Sequence, residues 1–179
     1  METVAGLVGM TASFHDCFVE LFNRHFPRLY RYLDRLTGDP ELAADLGQEA
    51  FVRLFRRGSL PDAPEAWLIS VAMNLLRNER ATRRRRERLL TPARGALAHA
   101  DPAPSPEATA EARDARARVR RALDQVPERE RQMLLLRAEE YSYREIALAL
   151  GLHEASVGTL LLRARKAFRA HYQGGSDGF

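Results

Sequence analysis

The pattern of apolar and polar positions predicts helices throughout and no strand of any length. Residues 142–169 give the clearest signal, two helices joined by a tight turn. Ser142 and Glu145 have the spacing of a capping box at the start of the first helix, and Gly151 ends it. The second helix carries one continuous apolar stripe, formed by Val157, Leu161, Ala164 and Phe168.

The face opposite this stripe combines short side chains near the helix start with cations further along: Ala155, Thr159, Arg163 and Lys166. This order suits a helix end inserted in a DNA major groove, with phosphates beside its later turns. An ordinary helical hairpin with a solvated basic face gives the same pattern. The stretch alone therefore leaves both interpretations open.

The N-terminal half predicts a flexible tail over residues 1–13, a helix from Phe14 and a new helix at Pro27. Asp39 followed by Pro40 then marks the start of a helix that runs to about Arg57. Its predicted buried side is apolar: Ala43, Leu46, Gly47, Ala50, Phe51 and Leu54. Its other side is mostly polar, and by itself indicates only a solvated surface: Glu41, Asp45, Gln48, Glu49, Val52 and Arg56.

A break over residues 58–64 precedes a long helix, predicted from about Glu65 to Arg88. Its apolar side is predicted to be Trp67, Leu68, Val71 and Leu75. A second side is polar and basic, comprising Ser70, Asn74, Arg77 and Arg84. The run of four arginines at 83–86 indicates either a solvated helix end or a track for phosphates.

Residues 91–109 are rich in alanine and proline and almost lack large apolar side chains, so they predict a flexible linker between two domains. The first domain is expected over residues 14–90. The second is expected over residues 110–172, followed by a polar tail at 173–179. Helices within it are predicted to bury Val119, Leu123, Met133, Leu134 and Leu136.

Composition narrows the classes of function. The 179-residue chain has a net charge of +4, and Lys166 is its only lysine, so arginine carries nearly all the positive charge. The single cysteine, Cys17, fits a reducing cytoplasm, and no membrane span or signal peptide is predicted. No nucleophile motif, phosphate loop or metal-ligand cluster is recognisable, so neither enzyme activity nor a cofactor or metal is expected.

Two well-separated segments resemble a known family. The first resembles region 2 of the sigma-70 family and reads LTGDPELAADLGQEAFVRLFRR, followed by AWLISVAMNLLRNERATRRRR. The second resembles region 4 and reads LDQVPERERQMLLLRAEEYSYREIALALGLHEASVGTLLLRARKAFR. The short linker is similar to that of extracytoplasmic-function (group IV) sigma factors. The resemblance implies an all-α protein, a region 2 helical bundle and a region 4 helix-turn-helix joined by a flexible linker.

The resemblance also implies a function: the chain would bind core RNA polymerase through the β′ clamp helices and the β flap, and direct transcription initiation at promoter DNA. Implied polymerase contacts are Asp45, Gln48, Glu49, Val52 and Arg56. Residues that would capture the opened −10 strand are Ser59, Leu60, Pro61, Asp62, Asn74, Arg77, Arg80 and Arg84. Those that would read the −35 duplex are Arg144, Ser156, Thr159, Leu162, Arg163, Arg165 and Lys166. An anti-sigma factor is a further implied partner.

One departure concerns the −35 reader. Many relatives carry a basic residue, an arginine and a histidine where this chain has Gly158, Leu160 and Leu162. Leu162 would be free to touch a thymine methyl group or to pack on a partner. Two other classes stay open: a helix-turn-helix regulator that binds DNA without acting as a sigma subunit, and a helical enzyme whose active site leaves no sequence motif.

Overall fold

The computed structural model describes residues 3–90 and 110–174, with side chains described for residues 14–86, 88 and 110–173. Over these ranges the chain has no strand, so the all-α prediction is confirmed. It has seven helices there: α1 (Thr3–Thr37), α2 (Pro40–Arg57), α3 (Pro64–Leu90), α4 (Ala110–Asp124), α5 (Glu128–Ala138), α6 (Tyr143–Leu150) and α7 (Glu154–Gly174).

The chain divides into two compact units, Met1–Ala100 and Asp101–Phe179. The predicted linker, residues 91–109, lies outside the described residues, as do residues 175–179 of the predicted tail. Within residues 3–90 and 110–174 no single helix combines the length and apolarity needed to cross a membrane. Among the described helices, one bent pair, α6–α7, meets these criteria of length and composition when its two helices are taken together.

The first helix differs from its prediction because it is continuous through Pro27. An interior proline removes one backbone hydrogen bond and crowds the carbonyl group four residues earlier. Packing just before the proline offsets this cost: the rings of Phe22 and Phe26 lie 5.0 and 6.0 Å from the ring of Phe51, between centroids. The helix also begins at Thr3, so the backbone is helical where the sequence predicted a tail.

The second helix has the predicted ends and the predicted buried side. The Asp39 carboxylate accepts a hydrogen bond from the backbone N–H of Leu42 at 3.0 Å, and Gly58 ends the helix in a left-handed conformation with φ of 72°. Gly47 lies where α2 meets α1. A Cβ atom at this position would lie 3.2 Å from Cε2 of Phe26, so glycine permits a close approach of the two helices.

The buried side of α3 is rotated from its prediction. Of the four residues expected there only Leu68 is fully buried, whereas Trp67, Val71 and Leu75 are half-buried. The residues that α3 buries against α1 and α2 are Ala66, Leu68, Ile69, Ala72, Met73 and Leu76. The hydroxyl group of Tyr32 on α1 donates a hydrogen bond to Sδ of Met73 at 3.3 Å, a contact that this orientation of α3 permits.

The second unit contains α4 to α7, and α7 contacts each of the other three helices. Two inward-facing residues of α4 were predicted wrongly: Val119 is 38% exposed and Leu123 is half-buried. The buried residue on α4 is the small Ala122, which lets the helix lie close to its neighbours. Other core residues of this unit are Val126, Met133, Leu135, Leu136, Tyr141, Ile146, Ala147, Val157, Leu161 and Ala164.

Candidate functional site

The polar face of α2 lies at the surface of the first unit. Asp45, Gln48 and Arg56 are exposed, and Val52 is 40% exposed. Glu49 is half-buried, and one of its carboxylate oxygens accepts a hydrogen bond from Nε of Arg53 at 2.9 Å. Because the opposite side of the same helix is buried, these side chains stand on a rigid support and are available to a partner.

An exposed aromatic ring lies beside this face and was missed by the sequence analysis. Phe55 is 50% exposed, although its ring lies 5.2 Å from that of Phe18 and 6.2 Å from that of Phe14, between centroids. It follows Gln48 by seven residues and Val52 by three, so helical periodicity places the three side by side. The spacing could therefore have indicated Phe55 as a candidate contact.

The residues predicted to contact the −10 strand lie in two places. Ser59, Leu60 and Asp62 are exposed in the break between α2 and α3, and Pro61 is half-buried. Asn74, Arg77 and Arg84 are exposed on α3, and Arg80 is half-buried. The side chains of Asn74 and Arg77 are joined, since Nη2 of Arg77 donates a hydrogen bond to Oδ1 of Asn74.

The last part of α3 carries arginines on more than one face. Among the side chains that the structure describes in this helix, Leu76 is the last that is fully buried, and the helix continues to Leu90. One row recurs at i, i+3, i+7 and i+11 and therefore shares a face: Arg77, Arg80, Arg84 and Arg88. Arg83 and Arg86 lie on another face, so the four consecutive arginines do not share one face of the helix.

The predicted pair of helices in the second unit is present with its predicted ends. The hydroxyl group of Ser142 accepts from the backbone N–H of Glu145 at 3.2 Å, and the carboxylate of Glu145 accepts from the backbone N–H of Ser142 at 2.6 Å. Gly151 has a φ of 63° and ends α6. The bend between α6 and α7 is 93°, which is the geometry of a helix-turn-helix.

The face of α7 away from the core is exposed along its length. Val157, Leu161 and Ala164 are fully buried, as the apolar stripe predicted, and Phe168 is half-buried. Each residue predicted to read the −35 duplex is exposed: Arg144 on α6, and Ser156, Thr159, Leu162, Arg163, Arg165 and Lys166 on α7. The helix thus offers polar, apolar and cationic groups to one partner surface.

Gly158 lies inside α7 without a steric requirement for glycine. A Cβ atom there would lie 3.5 Å from Cε2 of Tyr143, which is ordinary contact, and the backbone conformation is helical. We expect Gly158→Ala to raise the free energy of unfolding by about 1 kcal/mol, because alanine loses less backbone entropy in a helix. Thermal denaturation followed by circular dichroism measures the change.

Gly151 provides the matched control for this prediction. A Cβ atom added at Gly151 would meet open space, but the left-handed φ of 63° disfavours alanine. Gly151→Ala should therefore lower the free energy of unfolding by about 1 kcal/mol. A destabilised Gly158→Ala would contradict the explanation from helix propensity.

No group of three or more histidine, cysteine, aspartate or glutamate side chains that could hold a metal ion occurs among the described residues. Taken together, a helical unit with an exposed polar face and a second helical unit built around a helix-turn-helix place the chain in the class of helical proteins that carry this motif, which many DNA-binding proteins use. Comparison with known proteins makes this class specific.

Two family models match the chain. The model for Sigma-70 region 2 matches residues 21–86, and the model for Sigma-70 region 4 matches residues 116–168. RNA polymerase sigma factor CarQ from Myxococcus xanthus is 30% identical over 163 residues, which are 86% of this chain and 86% of CarQ. The chain therefore belongs to the sigma-70 family of RNA polymerase sigma factors. The alternative of a helix-turn-helix regulator that does not act as a sigma subunit is not favoured, because the first unit matches sigma region 2 as well.

A second relative is named as a member of the extracytoplasmic-function (ECF) group, which the short linker also indicated. ECF RNA polymerase sigma factor SigE from Mycolicibacterium smegmatis is 34% identical over 155 residues, covering 84% of this chain and 59% of SigE. The chain thus spans less than two thirds of that relative. The crystallised sigma factor RpoE from Bartonella quintana, in complex with the anti-sigma factor NepR, has a TM-score of 0.64 at 18% identity. The alignment covers 87% of this chain and 96% of RpoE, and it shows a shared fold.

Proposed function

We propose that this chain is a sigma factor of the extracytoplasmic-function type, which binds core RNA polymerase and directs it to promoters. The chain itself carries out no catalytic step and needs no cofactor. The observation that carries the proposal is the occurrence of both sigma regions in one chain, in order, each with its candidate contact residues at the surface. A helix-turn-helix alone would support only DNA binding.

The polar face of α2 is the proposed contact with the β′ clamp helices, with the β flap as a second polymerase contact. Asp45, Gln48 and Glu49 combine two carboxylates with an amide, so they can accept hydrogen bonds from arginine and lysine side chains of a partner. Val52 and Phe55 add exposed apolar surface at the end of the same face. Interfaces of this kind place aromatic groups next to charged groups that fix the register.

The loop at 59–62 and the following helix are proposed to hold the opened −10 strand. Unstacking a base costs a few kcal/mol, and this cost is offset when the base enters a pocket and its backbone meets cations. The amide of Asn74 can donate hydrogen bonds to a base edge and accept them from it. The hydrogen bond that Arg77 donates to Asn74 orients the guanidinium group. Arg80 and Arg84 continue along the same helix toward the phosphates.

The α6–α7 pair is proposed to read the −35 element as duplex. In a helix-turn-helix the second helix enters the major groove and the first crosses the backbone. Ser156 and Thr159 lie near the start of α7, where they can reach base edges. Arg163, Arg165 and Lys166 follow, while Arg144 lies on the first helix beside the backbone.

The proposal includes a location and a regulator. A sigma factor works where the polymerase and the chromosome are, so we place the chain in the cytoplasm. We also propose that an anti-sigma factor binds it, since the similarly folded RpoE was crystallised with the anti-sigma factor NepR. Such a partner would act by covering the surfaces that bind polymerase or DNA.

The function is tested by mapping the 5′ ends of transcripts that appear when the chain is overproduced. A sigma factor should yield a set of new start sites that share two sequence elements at constant spacing upstream. Mutation of either element should remove the corresponding transcript. New transcripts without a shared pair of elements would contradict the proposal.

The arginines at the end of α3 give a prediction that separates two helix faces. Arg84→Ala with Arg88→Ala removes two charges from the row that includes Arg77 and Arg80. We expect the slope of log K against log salt concentration for promoter binding to become shallower by about 1.4 to 1.8. Each phosphate contact releases counterions when it forms, so a variant that lacks two contacts releases fewer of them.

The matched control removes the same charge from another face of the same helix, by Arg83→Ala with Arg86→Ala. This pair should leave the slope unchanged when the holoenzyme binds a promoter fragment across a salt series. Equal slopes for both double variants would contradict the prediction that the row at 77, 80, 84 and 88 contacts the phosphates in preference to the other face.

A further inference from the structure

Leu162 is the most exposed large apolar side chain in the described part of the chain, with 67% of its surface accessible. It belongs to the central row of the outer face of α7, which recurs at i, i+4, i+7 and i+11: Ala155, Thr159, Leu162 and Lys166. An isolated exposed leucine is ordinary on protein surfaces. Its place in the middle of a proposed DNA-reading face is what requires an explanation.

Cations flank this central row on both sides. Helical periodicity places Arg163 on one side of Leu162, and Arg165 and Arg169 on the other, and each of these arginines is exposed. A helix that lies in the major groove has one phosphate backbone on each side and base edges in front of it. The long arginines therefore match the two backbones, and the shorter side chains of the central row, Ala155, Thr159 and Leu162, match the floor of the groove.

Leu162 lies far from the start of α7, so its contacts depend on how the helix is oriented in the major groove. It follows Glu154, the first residue of α7, by eight positions, a distance of about 12 Å along the axis. A helix that entered the groove only with its tip would leave Leu162 outside. The exposed arginines on both sides of the helix at this level favour an orientation along the groove, which brings Leu162 against the bases.

Only one base offers Leu162 a matching group in the major groove. Thymine exposes its 5-methyl group there, whereas guanine, adenine and cytosine expose hydrogen-bond donors or acceptors. Leucine would strip water from those polar groups without replacing their hydrogen bonds, which carries a cost. The side chain thus favours thymine by apolar contact and disfavours the alternatives by desolvation.

We propose that Leu162 reads a thymine of the −35 element through its 5-methyl group. This inference rests on the proposed function, since it assigns a base to the proposed −35 reader. It predicts that the element recognised by this chain contains an A·T pair at the position facing Leu162, with thymine on the strand nearer to that side chain.

The experiment uses deoxyuridine, which differs from thymidine only by lacking the 5-methyl group of the base. The full-length chain and its holoenzyme each select a −35 element from a randomised duplex pool, and each thymine of the selected element is then replaced singly. We expect one replacement to weaken binding about fourfold, the factor that corresponds to one buried methyl group. In Leu162→Ala that replacement should have no effect.

Leu148→Ala is the matched control, because Leu148 is also exposed, at 53%, but lies on α6. This variant should keep the preference for thymine over deoxyuridine. The inference is overturned if no replacement changes affinity, or if Leu162→Ala keeps the preference.

The same selection separates this inference from the proposed function. Failure of the chain and holoenzyme to select any element overturns the inference together with the −35 role. Promoter-specific transcription without a methyl effect overturns the inference alone. Loss of polymerase binding in Leu162→Ala, with no thymine preference in the wild type, would assign this leucine to a protein partner.

Discussion

Replacing Asp45, Gln48 and Glu49 together by alanine should weaken binding to core RNA polymerase by about 100-fold, as expected when a cluster of interface hot spots is removed. Two of these side chains are exposed and the third is half-buried, while the helix below them is held by a buried apolar side. The variant should therefore fold normally. Affinity is measured with fluorescently labelled chain titrated with purified core polymerase.

The control for this variant has the same composition on a different helix. Asp16, Glu20 and Asn23 are exposed on α1 and also comprise two carboxylates and one amide. Their replacement by alanine should change polymerase affinity less than threefold, because we assign no contact to them. If the two triple variants lose affinity equally, or if neither does, α2 does not carry the polymerase contact.

Replacing Arg163 and Arg165 by alanine should have the second largest effect, a loss of at least about tenfold in binding of the holoenzyme to a −35 duplex. The two arginines lie on opposite sides of the central row of α7, so the variant removes one cation from each proposed backbone contact. The slope of log K against log salt should also fall by about 1.8. Filter binding across a salt series gives both quantities.

Arg116 and Arg118 provide the comparison within the same unit, since both are exposed on α4. Their double replacement by alanine removes the same charge but should leave affinity and slope close to those of the wild type. A similar loss in both double variants would mean that the second unit attracts DNA only through its overall charge.

Local signals in the sequence were sufficient for two parts of the fold. The ends and buried side of α2 followed from Asp39, Pro40 and the apolar periodicity, and the structure has each of them. The capping box at Ser142 and the glycine at 151 likewise defined α6. These features depend on residues within one or two helical turns, which is why a single sequence reveals them.

Features that depend on packing between helices were not predictable in this way. Pro27 normally begins or breaks a helix, and α1 continues through it where aromatic rings of α1 pack against Phe51 of α2. The rotation of α3 and the exposure of Val119 have the same origin. Several apolar positions compete for each core, and the shape of the neighbouring helix decides between them.

The candidate site was predictable as a set of exposed residues but not as a set of contacts. Periodicity identified the polar face of α2 and the outer face of α7, and the structure places them at the surface. The hydrogen bond between Arg77 and Asn74 became visible only with side chains in place. The spacing of Phe55 from Gln48 and Val52 could have indicated it as a candidate contact, but only the structure shows that half of its surface is exposed.

Reconstituted transcription is the most direct measurement of the central claim. Purified core polymerase is supplied with genomic promoter fragments, with or without the full-length chain, and the 5′ ends of the products are sequenced. We predict discrete transcripts that require the chain and start at a fixed distance from two shared upstream elements. A chain that binds DNA but leaves the polymerase without new start sites across the fragment library would contradict the account.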